Sequence, residues 1–243
     1  MYKDKPCFAV IAAAGAGLRF SSGGLKNSGN TDLLPKQFHN LLGKPVLAHT
    51  LDIFESNSRT DYIVISTNAS YFGLCGQIIE KYGYRKKIEL AEGGENRQKS
   101  VYNGLLSASG QSAANEGALA VIHDGARPLT AQKTVNLAIE GAYLHGAAAA
   151  AVSVSDTIKI AKDGFIKETP DRTTLYATQT PQVFRLGLIL SAHKKAMDDG
   201  FMGYDDATLV ERLGCPVFIT EGSCTNIKIT NPMDLSLAKL LMS

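Results

Sequence analysis

The sequence predicts an α/β fold in which a mainly parallel, twisted sheet is covered by helices on both faces. Three observations carry that prediction. Residues 7–12 (CFAVIA) and 118–124 (ALAVIHD) are almost continuously apolar, as strands buried on both faces are. Strand-like and helical patterns alternate from residue 7 to residue 146, the order that builds a sheet from crossover units. Polar stretches, each carrying glycine, follow strand-like runs at 13–19, 93–100 and 124–128. Ligands of such sheets bind beyond the carboxyl ends of the strands.

Taken in order, residues 7–12 form the first strand, and residues 21–32 are rich in Gly, Ser and Asn, the composition of a mobile connection. Pro45 suits a first helical turn, with Val46, Leu47, Thr50, Leu51 and Phe54 following at helical spacing. Residues 61–67 (DYIVIST) read as a strand, 70–82 as a helix, 87–92 as a short strand, and 95–107 as a helix opening after Gly93-Gly94. After the strand at 118–124, Thr130 is a candidate cap for a helix running to His145, with Gly146 as its stop. Residues 157–161 and 165–169 alternate in polarity around Lys162-Asp163-Gly164, a hairpin signal, and read as an arm standing off the main sheet. A core segment at 173–179, helices near 185–199 and 205–213, and strands at 216–221 and 226–230 follow. A last helix has Asn231 as cap and Pro232 in its first turn.

With 243 residues the chain can bury a substantial core, and no linker composition divides it, so one domain over residues 1–243 is expected. Its 25 Lys and Arg nearly balance its 23 Asp and Glu, which argues against nucleic acid or a membrane surface as partner. An anion site must then come from local placement of cations. Cys7, Cys75, Cys215 and Cys224 lack C-x-x-C spacing and make no disulfide framework, which points to reduced thiols in the cytoplasm. Lys3 and Lys5 precede an apolar run, but Asp4 and the shortness of that run argue against a signal peptide. No stretch reaches the length of a membrane span.

The stretch Ala14-Gly15-Ala16-Gly17 bares its backbone N–H groups, which are good phosphate donors, and glycine permits the positive φ of a concave loop. Arg19 adds a fixed positive charge. Alone, a glycine after a strand is more often a plain turn than a phosphate site. Phe20 stands where a dinucleotide fingerprint needs its third glycine, which disfavours a nicotinamide dehydrogenase.

The continuation changes the reading. Pro35-Lys36-Gln37, Gly93-Gly94-Glu95-Asn96-Arg97-Gln98-Lys99-Ser100-Val101 and His123-Asp124-Gly125-Ala126-Arg127-Pro128 follow the glycine loop. Asp156-Thr157-Ile158-Lys159, Asp171-Arg172, Gln179-Thr180-Pro181-Gln182 and Asn226-Ile227-Lys228-Ile229-Thr230 come after them. In this order, over nearly the whole chain, these segments resemble the 2-C-methyl-D-erythritol 4-phosphate cytidylyltransferase family. The resemblance implies a Rossmann-like three-layer nucleotidyltransferase fold with a protruding β-arm at residues 155–172, exchanged within a homodimer. It also implies transfer of the cytidylyl group of CTP to a polyol phosphate, with release of pyrophosphate and with Mg²⁺ as the divalent cofactor.

The same resemblance implies roles for single residues. Arg19 and Lys36 match the transition-state cations, while Arg172 and Lys228 match residues that position the acceptor phosphate. Ala13, Ala14, Gly15, Ala16, Gly17, Gly94, Glu95, Ser100 and Gly125 match positions that hold CTP. Asp124, Arg127 and Thr180 match acceptor-side positions, and Thr157 and Arg172 are expected to reach the partner's site. Asp124 is the one candidate metal ligand, with Mg²⁺ held mainly by the CTP phosphates. By composition alone Arg172 reads as half of a solvated salt bridge; only its place in the motif reverses that.

The chemistry sets its own demands. The nucleophile is a phosphate oxygen, largely anionic near neutral pH because the second phosphate pKa is about 6. No general base is needed, so His123 reads as structural. Cations must hold two anions together and stabilise charge on the α-phosphorus and the leaving pyrophosphate. Asp205-Asp206 reads as a helix cap, because a helix N-terminus favours acids.

Two features depart from the family pattern. The segment between Arg19 and Lys36 is longer than usual, which suggests that a loop delivers Lys36 when CTP and Mg²⁺ bind. Tyr204 precedes Asp205-Asp206 where the family more commonly has threonine, which makes ribitol 5-phosphate an alternative acceptor. From another class, the chain could be a non-catalytic nucleotide-binding regulator. The joint presence of Arg19, Lys36, Arg172 and Lys228 argues against this, because a binder needs no acceptor clamp. A pyrophosphohydrolase is a third reading, marked by pyrophosphate release without an acceptor.

Overall fold

Strand β1 (Cys7–Ala12) sends Cys7, Ala9 and Ile11 into one core and Phe8 and Val10 into another, the period of two expected of a strand buried on both faces. The structure, a computed structural model, describes residues 2–15, 34–110 and 117–243. The expectations for Ala16, Gly17, Arg19 and the connection at 21–32 therefore lie outside the described residues. A short ladder of β2 (Asn40–Leu41) and β3 (Lys44–Pro45) leads into α1 (Val46–Ser56), followed by β4 (Tyr62–Thr67), α2 (Phe72–Tyr82), β5 (Ile88–Glu92) and α3 (Arg97–Ser109). Next come β6 (Leu119–Asp124), α4 (Gln132–His145), β7 (Ala147–Ser153), and the hairpin of β8 (Ile160–Lys162) and β9 (Phe165–Glu168). The chain continues with β10 (Tyr176–Arg185), α5 (Leu186–Asp198), α6 (Asp206–Arg212), β11 (Phe218–Glu221) and α7 (Pro232–Met242).

Seven strands form one sheet in the order β11-β7-β10-β6-β1-β4-β5. All its pairings are parallel except those of β10, which runs antiparallel to both β6 and β7. Helices α1, α2 and α4 cover one face through Leu51, Phe54, Cys75, Val135 and Ile139, while α3, α5 and α6 cover the other through Val101, Leu105, Ile189 and Leu209. This is the three-layer arrangement that the alternating pattern predicts. Among the described residues, no helix is long and apolar enough to cross a membrane.

Helix α3 lies close on β1 because Gly104 allows it. A Cβ at Gly104 would stand 2.6 Å from Cγ1 of Val10, which is fully buried and stiff at χ1. Gly104→Ala gains about 1 kcal/mol of helix propensity but overpacks the core by about 1–3 kcal/mol. The expected net result is a loss of stability, read from the urea midpoint. A more stable variant would mean that α3 can shift without strain.

Three expectations are corrected. Thr130 does not cap α4, which starts at Gln132 from Ala131 without a side-chain cap; the Thr130 hydroxyl instead donates to Asn226 Oδ1 at 2.7 Å. Residues 226–230 join no ladder: Ile229 N–H donates to Ala126 O at 2.8 Å, and Asn226 donates to Thr180 O at 2.9 Å. The segment expected at 173–179 extends as β10 to Arg185. Pro181 falls within a register shift between Thr178 and Gln182, the place where a sheet tolerates a residue without an N–H. By contrast, Asn231 forms a full capping box with Asp234, as its position before Pro232 predicts.

Candidate active site

The carboxyl ends of β1, β4, β5 and β6 are laced together by backbone bonds. Ala13 N–H donates to Ser66 O at 2.8 Å, Gly93 N–H to Thr67 O at 2.7 Å, and Gly125 N–H to Ala12 O at 2.9 Å. Gln37, buried on the single turn Lys36–Phe38, donates to Ala13 O at 2.5 Å and so ties that turn to the start of the glycine loop. At Gly93 a Cβ would lie 2.4 Å from Cβ of Ala14, so this glycine lets the β5–α3 connection close over the loop. Asn96 then caps α3, its Oδ1 accepting from Lys99 N–H at 2.8 Å, so the helix opens at Arg97, two residues later than its sequence suggests.

These connections enclose a cleft of about 690 Å³. Ala13, Ala14, Gly15, Lys36, Gly94, Glu95, Ser100, Asp124 and Lys228 all line it. Lys36 stands at the cleft wall on the single turn Lys36–Phe38; the connection expected to deliver it lies largely outside the described residues. A smaller lobe of about 140 Å³ adjoins it, lined by Arg127, Thr180 and Tyr204. Arg97, Asp124 and Lys228 border both lobes. Gly125 lies behind the cleft: its N–H is taken by Ala12 and its carbonyl accepts from the Thr50 hydroxyl at 3.2 Å. Thr157 and Arg172 are exposed in the arm and line neither lobe, and Arg172 donates to Ser155 O at 3.3 Å.

Asp124 is the electrostatic centre. Its Oδ1 meets Arg97 Nε at 3.1 Å, and its Oδ2 meets Lys228 Nζ at 2.9 Å and Arg127 Nε at 3.3 Å. Burial alone would push this carboxyl up, but Arg97, Lys228 and Arg127 together hold it well below the usual carboxylate range. Its backbone N–H donates to the Thr180 hydroxyl at 3.1 Å. Lys228 is placed by its neighbour Ile229, which is fully buried with Leu41, Val46, Ala126 and Ala238 beneath α7. Arg127 is placed by a second bond, from Nη1 to Asn226 O at 2.7 Å.

Sequence reasoning passed over Arg97 and misread Asp206. Arg97 Nη1 donates to Asp206 Oδ2 at 2.7 Å, and the other Asp206 oxygen faces His193 Nε2 at 3.2 Å. Of the two adjacent acids only Asp205 is the cap, accepting from Thr208 N–H at 2.9 Å. One signal was available: Arg97 opens a helix, where the dipole disfavours a cation and a nearby carboxylate offsets that cost.

His123 is fully buried and structural, with Nε2 facing Arg127 O at 3.2 Å and Thr130 Oγ1 at 3.3 Å. A carbonyl can only accept, so Nε2 carries the proton of a neutral ring. Burial pulls the His123 pKa down to about 4, against the opposing pull of Asp124. The unfolded chain binds this proton near pH 6.5. Its contribution to stability is therefore full above about 6.5 and is lost as pH falls toward 4, up to roughly 3 kcal/mol. Urea unfolding at pH 7, 5.5 and 4.5 should show this decline; a flat profile over that range would contradict the buried neutral ring.

Comparison with known proteins gives one answer throughout. Residues 7–243 match the family model described as IspD: 2-C-methyl-D-erythritol 4-phosphate cytidylyltransferase. The chain is 42% identical over 235 residues to the 2-C-methyl-D-erythritol 4-phosphate cytidylyltransferase of Geobacillus thermodenitrificans, covering 97% of this chain and 96% of the relative. It is 44% identical over 234 residues to the protein of the same name from Bacillus velezensis, covering 96% and 94%. Among solved structures, the 4-diphosphocytidyl-2C-methyl-D-erythritol synthase of Anaerococcus prevotii superposes with a TM-score of 0.83 at 27% identity, covering 98% and 96%. The Thermus thermophilus 2-C-methyl-D-erythritol 4-phosphate cytidylyltransferase superposes with 0.73 at 30% identity, covering 96% and 97%.

Proposed function

The chain belongs to the 2-C-methyl-D-erythritol 4-phosphate cytidylyltransferase family, and on that premise we propose how its cleft carries out the reaction. The enzyme is a nucleotidyltransferase that transfers the cytidylyl group of CTP to 2-C-methyl-D-erythritol 4-phosphate, yielding 4-diphosphocytidyl-2-C-methyl-D-erythritol and pyrophosphate. The observation that carries the assignment of residues is the meeting of Arg97, Arg127 and Lys228 on Asp124, where two lobes adjoin. Two phosphates repel each other, so a site that joins them needs cations between them. The larger lobe takes CTP, with the bare backbone of residues 13–15 on the triphosphate and Gly94, Glu95 and Ser100 around the base and ribose. The smaller lobe takes the acceptor, facing Arg127 and Thr180, with Lys228 orienting its phosphate. Lys36, with Arg19, stabilises charge on the α-phosphorus and the departing pyrophosphate.

The described residues contain no group of three His, Cys, Asp or Glu able to hold a metal ion, and both Asp124 oxygens already face cations. Asp124 therefore does not fit a metal ligand in this arrangement. Mg²⁺ belongs with the triphosphate oxygens, where it lowers their negative charge. We further propose one nucleotidyltransferase domain whose arm, residues 155–172, exchanges with a second copy, bringing Thr157 and Arg172 to the partner's site. Ile160, Phe165 and Ile166 of the arm are exposed, at 49%, 70% and 63%, which supports a covered face. Sedimentation should give a dimer. Free thiols at Cys7, Cys75, Cys215 and Cys224 accord with a cytoplasmic enzyme.

Pyrophosphate release with CTP, Mg²⁺ and either methylerythritol phosphate or ribitol phosphate tests the reading. Turnover should be fast with the first and at least tenfold slower with the second. Failure of both would reject the substrate class, and release without acceptor would mark a pyrophosphohydrolase. Tyr204, fully exposed, lines the smaller lobe, and the preference between the two polyols rests on family membership.

A further inference from the structure

Asp206 is buried and borders neither lobe, yet it makes the shorter of the two ion pairs of Arg97. We propose that Asp206, steadied by His193, is a positioning residue for the transfer, anchoring Arg97 between the two lobes so that Lys228 keeps its seat on Asp124. The inference rests on the cytidylyl-transfer reading given above.

Charge and geometry carry it. Asp124 alone faces three cations, and one carboxylate cannot place three donors independently. Asp206 takes one of them, at 2.7 Å against 3.1 Å to Asp124, so Arg97 offers Asp124 only its Nε. Oδ2 of Asp124 is then left for Lys228 and Arg127. Asp206 is itself immobilised: His193 Nε2 holds Oδ1 at 3.2 Å, and the Asp206 backbone N–H donates to Gln182 Oε1 at 3.1 Å. Gln182 also donates to Asp205 Oδ2 at 2.7 Å, which fixes the opening turn of α6 against β10. Buried ion pairs add little stability over apolar packing, so this one is better understood as setting geometry. Without the Asp206 charge, Arg97 turns its fork onto Asp124 in the favoured bidentate manner and competes with Lys228 for the same carboxylate.

Asp206→Asn keeps the side-chain shape and the acceptor for Arg97 but removes the charge. The site gains a unit of positive charge, so both anions should still bind, with KM values within about threefold of wild type, while misalignment lowers kcat at least tenfold. A merely structural role would lower the melting temperature and the active fraction but leave kcat per titrated site unchanged. A folded Asp206→Asn with normal kcat, or with raised KM and normal kcat, would overturn the proposal. If that variant does not fold, the His193 pair decides: His193→Leu should lower kcat per site and His193→Gln, which keeps a donor near the Nε2 position, should restore it. Equal turnover in those two variants would also overturn it. Absence of cytidylyl transfer in the wild type would instead reject the underlying reading of function.

Discussion

Lys36→Ala is expected to lower kcat by about 10²–10³, the usual cost of removing one preorganised charge contact to a transition state. Lys36 borders the larger lobe, and its turn is anchored by the two residues that follow it. Gln37 and Phe38 are both buried, Gln37 on Ala13 O and Phe38 against the ring of Tyr71 at 5.2 Å. Truncating Lys36 therefore leaves the turn in place, and stability should change by less than about 1 kcal/mol. Steady-state pyrophosphate release and a thermal melt of the same sample separate the two effects. Turnover within threefold of wild type would remove Lys36 from the proposed chemistry. Arg19→Ala is expected to behave alike on the strength of its place in the motif.

Replacing Arg97 should be costly for stability as well as turnover. Arg97→Leu would leave Asp124 and Asp206, at 5% and 1% exposure, short of their shared cation. Breaking a buried pair in this way costs about 3–5 kcal/mol, and because the Arg97 side chain retains 29% exposure the lower end applies. For a chain of this size each kcal/mol moves the melting temperature by roughly 2–4 °C. Arg97→Lys should recover little, because one ammonium cannot span two carboxylates as the guanidinium fork does. Chemical denaturation of both variants checks this. A loss under about 1 kcal/mol in Arg97→Leu would mean that Lys228 and His193 suffice for the two acids.

Much of this was legible in the chain. The continuous apolar runs at 7–12 and 118–124 mark strands buried on both faces, and their order with amphipathic helices implies a mainly parallel sheet. The Asn231-Pro232 pair marks a helix start by local chemistry alone, and the capping box bears it out. The misreadings share a cause. Thr130 has the chemistry of a cap, but its hydroxyl is claimed by Asn226, a residue distant in sequence. The segment expected at 173–179 runs on as β10 to Arg185, past a register shift between Thr178 and Gln182, because its later residues pair with β6 and β7. Residues 226–230 have the pattern of a strand, but their polar groups are spent on Ala126 and Thr180 and on Thr130 and Arg127.

The amino-acid order by itself determined the layered architecture, the sheet edge at which the cleft opens, and, through ordered motifs, the family and its reaction. Each of these depends on neighbours in sequence or on residue type. Only the tertiary structure decided that Arg97 and Lys228, far apart along the chain, share Asp124 at the wall between two lobes, and that Asp206 stands behind Arg97. Coulombic energy depends on distance and burial, and neither is a property of sequence separation.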